Sequence, residues 1–128
     1  MAEEEKKVVR KPRQVRIPHV AFGKEANVRF EDGVFKFYAS LTATIDSWGD
    51  IPVGRIRVPS GYVLLVNGTE QNVKKHLIVP EQIVKGDTYL SVFCTNASPE
   101  LRRVYQGDVV AKGVLIRIAE KAELDIIE

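Results

Sequence analysis

Two histidines, one cysteine and scattered carboxylates are the groups in this 128-residue chain whose types could do chemistry. A zinc site needs several ligands at short spacing, and His19, His76 and Cys94 stand alone, so no metal site is expected. No serine sits in a Gly-x-Ser-x-Gly turn. Cys94 ends the apolar run Leu90-Ser91-Val92-Phe93-Cys94, which reads as a strand with a small buried hydrophobe rather than an activated thiol. Neither glycine-rich phosphate-loop pattern occurs. Glu31-Asp32 and the pair Asp46 and Asp50 lie in turn composition, where carboxylates bond nearby backbone. The expectation is a non-enzymatic chain with no cofactor.

Charge is the next source of function. The net charge of +2 is unevenly spread. Residues 1–17 hold six basic and three acidic groups, whereas the rest of the chain holds 13 basic and 14 acidic ones. With Pro12 and few large apolar groups, this segment cannot form a core and reads as an extended arm. Its candidate partner-binding residues are Val8, Val9, Arg10, Lys11, Arg13, Val15, Arg16 and Ile17. Nucleic acid is one partner open to such a basic segment. No aromatic residue interleaves the basic run, however, so the stacking half of single-strand recognition is missing and a solvated or protein-bound arm is the preferred reading. At the other end, Leu124, Ile126 and Ile127 are candidate contact residues of a tail, residues 119–128.

The elements that must position these ends read as strands. From Val34 to Ile45 the chain alternates, with Phe35, Phe37, Ala39, Leu41, Ala43 and Ile45 on one face. Asp32-Gly33 before it and Ser47-Trp48-Gly49-Asp50 after it read as turns. Further strands are expected at Arg55 to Val58, Gly61 to Val66, His76 to Val79, Thr88 to Thr95 and Val109 to Ile118. Tyr62 to Val66 is apolar on both faces, which suits a central strand. Asn67-Gly68 can supply a tight hairpin turn. The best short helix is Pro99 to Tyr105, and Glu123 to Glu128 reads as a last strand or an arm. Without crossover helices the strands must pair antiparallel. The fold class expected is all-β, a jelly-roll, barrel or sandwich spanning residues 18–118.

A chain of this length with 45% apolar residues buries a core without help from disulfides, and one cysteine could form none internally. No apolar run is long enough to span a bilayer, and the charged start lacks the apolar region of a secretory signal. The expected location is therefore the cytoplasm or a particle assembled there, with Asn67 and Asn96 serving turns rather than glycans.

Half of the chain, from Arg55 to Ile118, resembles the trimeric dUTPase and dCTP-deaminase superfamily. Arg57-Val58-Pro59-Ser60-Gly61-Tyr62 is similar to the family's Pro-x-Gly-Tyr strand turn. Lys85-Gly86-Asp87-Thr88-Tyr89 resembles its Arg-Gly-Glu turn, and the strand that follows ends near Asn96. Tyr105-Gln106-Gly107-Asp108-Val109-Val110-Ala111-Lys112 is similar to its Lys-Gly-Asp-Arg-Ile-Ala-Gln motif. The resemblance implies a jelly-roll barrel, a homotrimer and C-terminal segments exchanged between subunits. The family's catalytic residues do not carry over. Glu81 stands at the general-base Asp position, Val84 at the nucleoside-stacking Tyr position, and Lys112 replaces the usual Gln. The Arg-Ser-Ser, Ala-Gly-x-Asp-Leu and C-terminal Gly-rich motifs are absent. One carboxylate without metal-binding and phosphate-binding partners does not assemble hydrolysis.

These readings converge on a structural protein, a homotrimeric β-barrel that stabilises a larger assembly such as a viral capsid lattice. A degenerate nucleotide-binding module is the alternative, and an arm-led nucleic-acid binder comes third.

Overall fold

The structure is a computed structural model that describes residues 17–119 and 121–128. Among these residues eleven strands and one short helix follow in order: β1 (Ala21–Phe22), β2 (Asn27–Glu31), β3 (Val34–Tyr38), β4 (Ala43–Ile45), β5 (Trp48–Arg57) and β6 (Tyr62–Asn67), then α1 (Glu70–Lys74). β7 (Leu77–Ile78), β8 (Gln82–Val84), β9 (Asp87–Asn96), β10 (Arg102–Val104) and β11 (Val109–Arg117) complete it. All pairings are antiparallel. One sheet runs β1-β5-β9-β7, a second β2-β3-β11-β6-β8, and β10 pairs with β4 in a small third. This is the all-β jelly-roll that the turn spacing predicts.

Period-two burial builds the core. Phe35 and Phe37 of β3, Leu64 and Val66 of β6 and Val110 of β11 face Ile51, Val53 and Ile56 of β5 and Leu90, Val92 and Cys94 of β9. The rings of Phe22 and Phe37 lie 6.3 Å apart across the two large sheets. Each fully buried side chain of this size contributes about 1.5–3 kcal/mol, so the alternation itself holds the sheets together.

Two backbone positions decide the ladder geometry. Asp32 and Gly33 both take positive φ, 51° and 79°, and join β2 to β3 in the tight hairpin their composition predicts. In β5 the register with β9 slips between Pro52 and Gly54, a bulge in which Gly54 takes φ 146°. A Cβ there would lie 2.8 Å from Ala26 Cβ and 3.0 Å from Ala26 Cα, so both the angle and the space require glycine.

Four expectations need correction. The run from Val34 to Ile45 is two strands, broken where Ala39 turns to bond the loop before β11 and Ser40 bonds Pro52. Leu41 therefore points to solvent, 61% exposed, and does not join the core. Residues 48–50 are the start of β5 instead of part of a turn, because Trp48, Gly49 and Asp50 pair with Thr95, Cys94 and Phe93. Asn67-Gly68 forms no hairpin, since the next residues start α1. There the buried Asn72 side-chain oxygen accepts the Thr69 N–H at 2.6 Å and its hydroxyl at 3.0 Å. Finally, Pro99 to Tyr105 holds β10 and no helix.

Gly54→Ala is expected to lower unfolding free energy by about 2–4 kcal/mol, from backbone strain plus the clash with Ala26. Gly33→Ala meets nothing within 4 Å and carries only the strain, about 1–2 kcal/mol. Urea midpoints of the two variants measure the difference, and equal losses would contradict this account of the bulge.

Candidate functional site

A cleft of about 600 Å³ opens beside the outer face of the five-stranded sheet. Its walls come from β3 (Val34, Lys36, Tyr38), the α1 region (Thr69, Glu70, Gln71, Lys75) and the start of β11 (Gly107 to Val109 and Lys112). Each contributor is explained locally. Lys36 and Lys112 occupy outward positions of alternating strands. Lys75 follows the last turn of α1, where a cation favours the carbonyl end of the helix.

Lys75 and Asp108 form the cleft's anchor. The Lys75 ammonium donates to Asp108 Oδ2 at 2.6 Å and lies 5.8 Å from the Tyr105 ring centroid. Asp108 Oδ2 also accepts the Tyr105 N–H at 2.9 Å, which closes the turn into β11. Burial works to raise the Asp108 carboxyl, but Lys75 and that N–H outweigh it and hold the group below the usual carboxylate range. Asp108 is thus a structural anion already spoken for.

The register adds a feature that spacing alone did not reveal. Lys36 of β3 lies directly opposite Arg29 of β2 on one side and Lys112 of β11 on the other. Three cations therefore stand in one row across three adjacent strands. Lys36 has Glu31 at 3.7 Å and Arg29 lies over the Tyr38 ring, while Lys112 has no ion-pair partner among the described residues. Like charges directly opposite one another are destabilising. An anion laid along the row would offset that cost, and a carboxylate or phosphate has the chemistry to do so.

The residues that the sequence singles out are placed differently. Ile17 and the tail residues Leu124, Ile126 and Ile127 are exposed and belong to no element, the last three at 93%, 85% and 96%. Val8, Val9, Arg10, Lys11, Arg13, Val15 and Arg16 lie outside the described residues. His19 and His76 are exposed and far apart in the chain, and no three His, Cys, Asp or Glu side chains among the described residues converge on a metal position. Cys94 is buried, and that burial pushes its thiol up to about 11, with Asp50 adding to the rise. Glu81 is exposed between β7 and β8 and does not line the cleft, while Val84 is buried in the core.

A second charged cluster sits on the outer face of the four-stranded sheet. Arg55 grips Asp87 with two hydrogen bonds, at 2.9 Å and 2.7 Å, and Arg57 reaches the same carboxylate at 3.3 Å. The pairing follows from register, since Arg57 is opposite Asp87 and Arg55 is two positions away on the same face. Farther down that face, Trp48, Phe93 and Ile78 form an exposed apolar group, with the first two rings 6.0 Å apart.

Among family models and curated proteins no match is found. Solved structures do match. The EIAV dUTPase superposes with a TM-score of 0.69 at 20% identity, covering 86% of this chain and 98% of that one. The dUTPase from phage phi11 of Staphylococcus aureus gives 0.71 at 16% identity over 88% and 97%. A Tyr-to-Ile mutant of the Staphylococcus bacteriophage 80alpha dUTPase gives 0.71 at 16% identity over 89% and 97%. The chain has a dUTPase-like fold, as the Gly-Asp turns suggest, and at these identities the likeness is one of fold.

The Arg55 grip holds Asp87 down to about 2, against an ordinary value of 3.8. A carboxyl whose folded value is depressed stabilises the fold above its unfolded value and loses that contribution as pH falls through the folded one. Asp87→Asn is therefore expected to flatten the drop in thermal midpoint between about pH 4 and pH 2, the window set by those two values. The effect should shrink in high salt because the cluster is exposed. An unchanged acid slope would remove the clamp from the stability account.

Proposed function

We propose that this chain is a non-enzymatic assembly protein, a homotrimeric β-barrel that binds and stabilises a larger protein shell such as a viral capsid lattice, in the virion or the cytoplasm where it assembles. The observation that carries the reading is apolar surface left in water. Leu124, Ile126 and Ile127 are almost fully exposed, and burying each against a partner would gain about 1.5–3 kcal/mol before ordering costs. The exposed Trp48, Phe93 and Ile78 group supplies a further contact face. The dUTPase-like fold supports the trimer through the resemblance in the Gly-Asp turns.

A second reading is favoured by the lysine cleft. In it the chain is a nucleotide-binding module that kept the fold and lost the catalytic set. Lys36, Lys75 and Lys112 would meet phosphates, and Glu81, which lies outside the cleft, would have no part unless a neighbouring subunit supplied it.

The assembly reading predicts a light-scattering mass three times that of the 14.4 kDa chain. Replacing Leu124, Ile126 and Ile127 together by Ser should return the mass to one chain while leaving the melting curve of the body unchanged. A trimer that survives the substitution would count against the tail. For the nucleotide reading, calorimetry with millimolar dUTP and Mg²⁺ should give heat that Lys112→Glu abolishes; a flat titration disposes of it.

A further inference from the structure

We infer that the outer face of the four-stranded sheet is a binding site for single-stranded nucleic acid, with Trp48, Tyr89 and Phe93 stacking bases and Arg55 and Arg57 meeting phosphates. The inference goes beyond the assembly reading, which rests on the C-terminal tail and stands whether or not this face takes an oligonucleotide.

Alternation builds the platform. Leu90, Val92 and Cys94 of β9 are buried, so Tyr89, Ser91, Phe93 and Thr95 face outward between them. The ladder sets Arg57 opposite Asp87, Arg55 opposite Tyr89, Pro52 opposite Ser91, Asp50 opposite Phe93 and Trp48 opposite Thr95. Aromatic rings therefore rise from a floor of smaller side chains, with Tyr89 and Phe93 about 14 Å apart along the strand at the usual rise. Trp48 is 63% exposed, Tyr89 53% and Phe93 37%, and the Trp48 and Phe93 rings are inclined to each other by 34°. Every base has a π-face, so exposed rings of this kind stack bases of any sequence. Aromatic residues on one face of a four-stranded sheet are enough to stack two or three bases.

The cations lie at the other end of the same face. Arg55 grips Asp87 with two short hydrogen bonds, whereas Arg57 reaches that carboxylate only at 3.3 Å. Two guanidinium groups thus share one carboxylate, which leaves positive charge and N–H donors for a phosphate. Beside them is a cavity of about 240 Å³ lined by Ala21, Phe22, Gly23, Arg55 and Arg57. Ala21 of β1 pairs with Arg57, so the chain enters the sheet at this end. The segment that leads into it, residues 1–17, holds six basic groups against three acidic ones. That segment lacks aromatic residues, and the sheet it joins supplies them. Asp50, opposite Phe93, is an acceptor of the kind that bonds the exocyclic amino group of a base. A protein partner would need an acidic patch for the arginines and would cover the polar floor at Ser91 and Thr95. A single strand satisfies rings and arginines together.

The test uses the full-length protein with oligothymidylate and oligouridylate of about 15 nucleotides, and a duplex of equal length as control. Trp48 is the only tryptophan in the chain, so its fluorescence reports the site directly. Saturable quenching by a single strand, and weaker quenching by the duplex, is the expected result; the tighter of the two single strands tells DNA from RNA. With labelled oligonucleotide and an anisotropy readout, Trp48→Ala and Tyr89→Ala should each weaken binding about tenfold. Arg57→Gln should weaken it as well and lower the slope of log affinity against log salt by about one. Absence of binding, or a duplex bound as tightly as the single strand, overturns the site. So do aromatic variants that bind like the wild type, a result that would assign the affinity to the basic arm alone. Should one aromatic variant fail to fold by circular dichroism, the other decides. A fall in light-scattering mass on Trp48→Ala with no oligonucleotide bound would make this face a protein contact, ending the inference and leaving the assembly reading in place.

Discussion

The interior between the two large sheets accepts only apolar side chains, and this constraint governs everything outside it. Phe37, Leu64, Ile51 and Val92 meet there with essentially no solvent contact, and Asn72 is the one buried polar side chain among the described residues. Even Gly113 is fixed by the filling, because a Cβ would lie 2.8 Å from the Phe37 ring and 3.2 Å from Leu64. With the inward positions so committed, every charged group is driven to an outward strand position or a turn.

Surface recognition is the chemistry such an arrangement favours. Cations that alternate outward along β2, β3 and β11 line up because the ladders bring them opposite one another, and no local pairing relieves them all. The four-stranded sheet solves the same problem differently. There Arg55 and Arg57 share the Asp87 carboxylate on the neighbouring strand. One face gathers its cations around a carboxylate, and the other sets three cations in a row across the ladder. That asymmetry is a feature of register, and it fits a protein whose two sheets meet different surroundings.

The chain has a dUTPase-like architecture, and several of the positions that the resemblance points to are engaged within the fold. Val84 packs into the core, Asp108 is tied to Lys75, and Glu70–Lys74 forms a short helix capped at Thr69. A barrel tolerates this because its stability resides in the inward residues, whereas loops and outward faces can change at small cost. Recognition of assembly partners and recognition of nucleotides place similar demands on such a face, which is why cationic residues serve both readings.

The strands β3, β6, β9 and β11 were legible locally, because period-two alternation and Gly-Asp turns depend only on neighbours in the chain. Local alternation failed at Leu41, where the loop before β11 captures Ala39, and at Trp48, where pairing with Thr95 makes a strand of turn-like composition. Asn67-Gly68 failed because Asn72 offered Thr69 a helix cap instead. The apolar tail and the isolated histidines were visible in the residues themselves. The row of Arg29, Lys36 and Lys112 was not, since these residues are separated by up to 83 positions and meet only through ladder register. Sequence determined which side chains must face in; the non-local pairing of strands decided which of the remainder stand together, because hydrogen-bond register is set by the whole sheet and by no single segment.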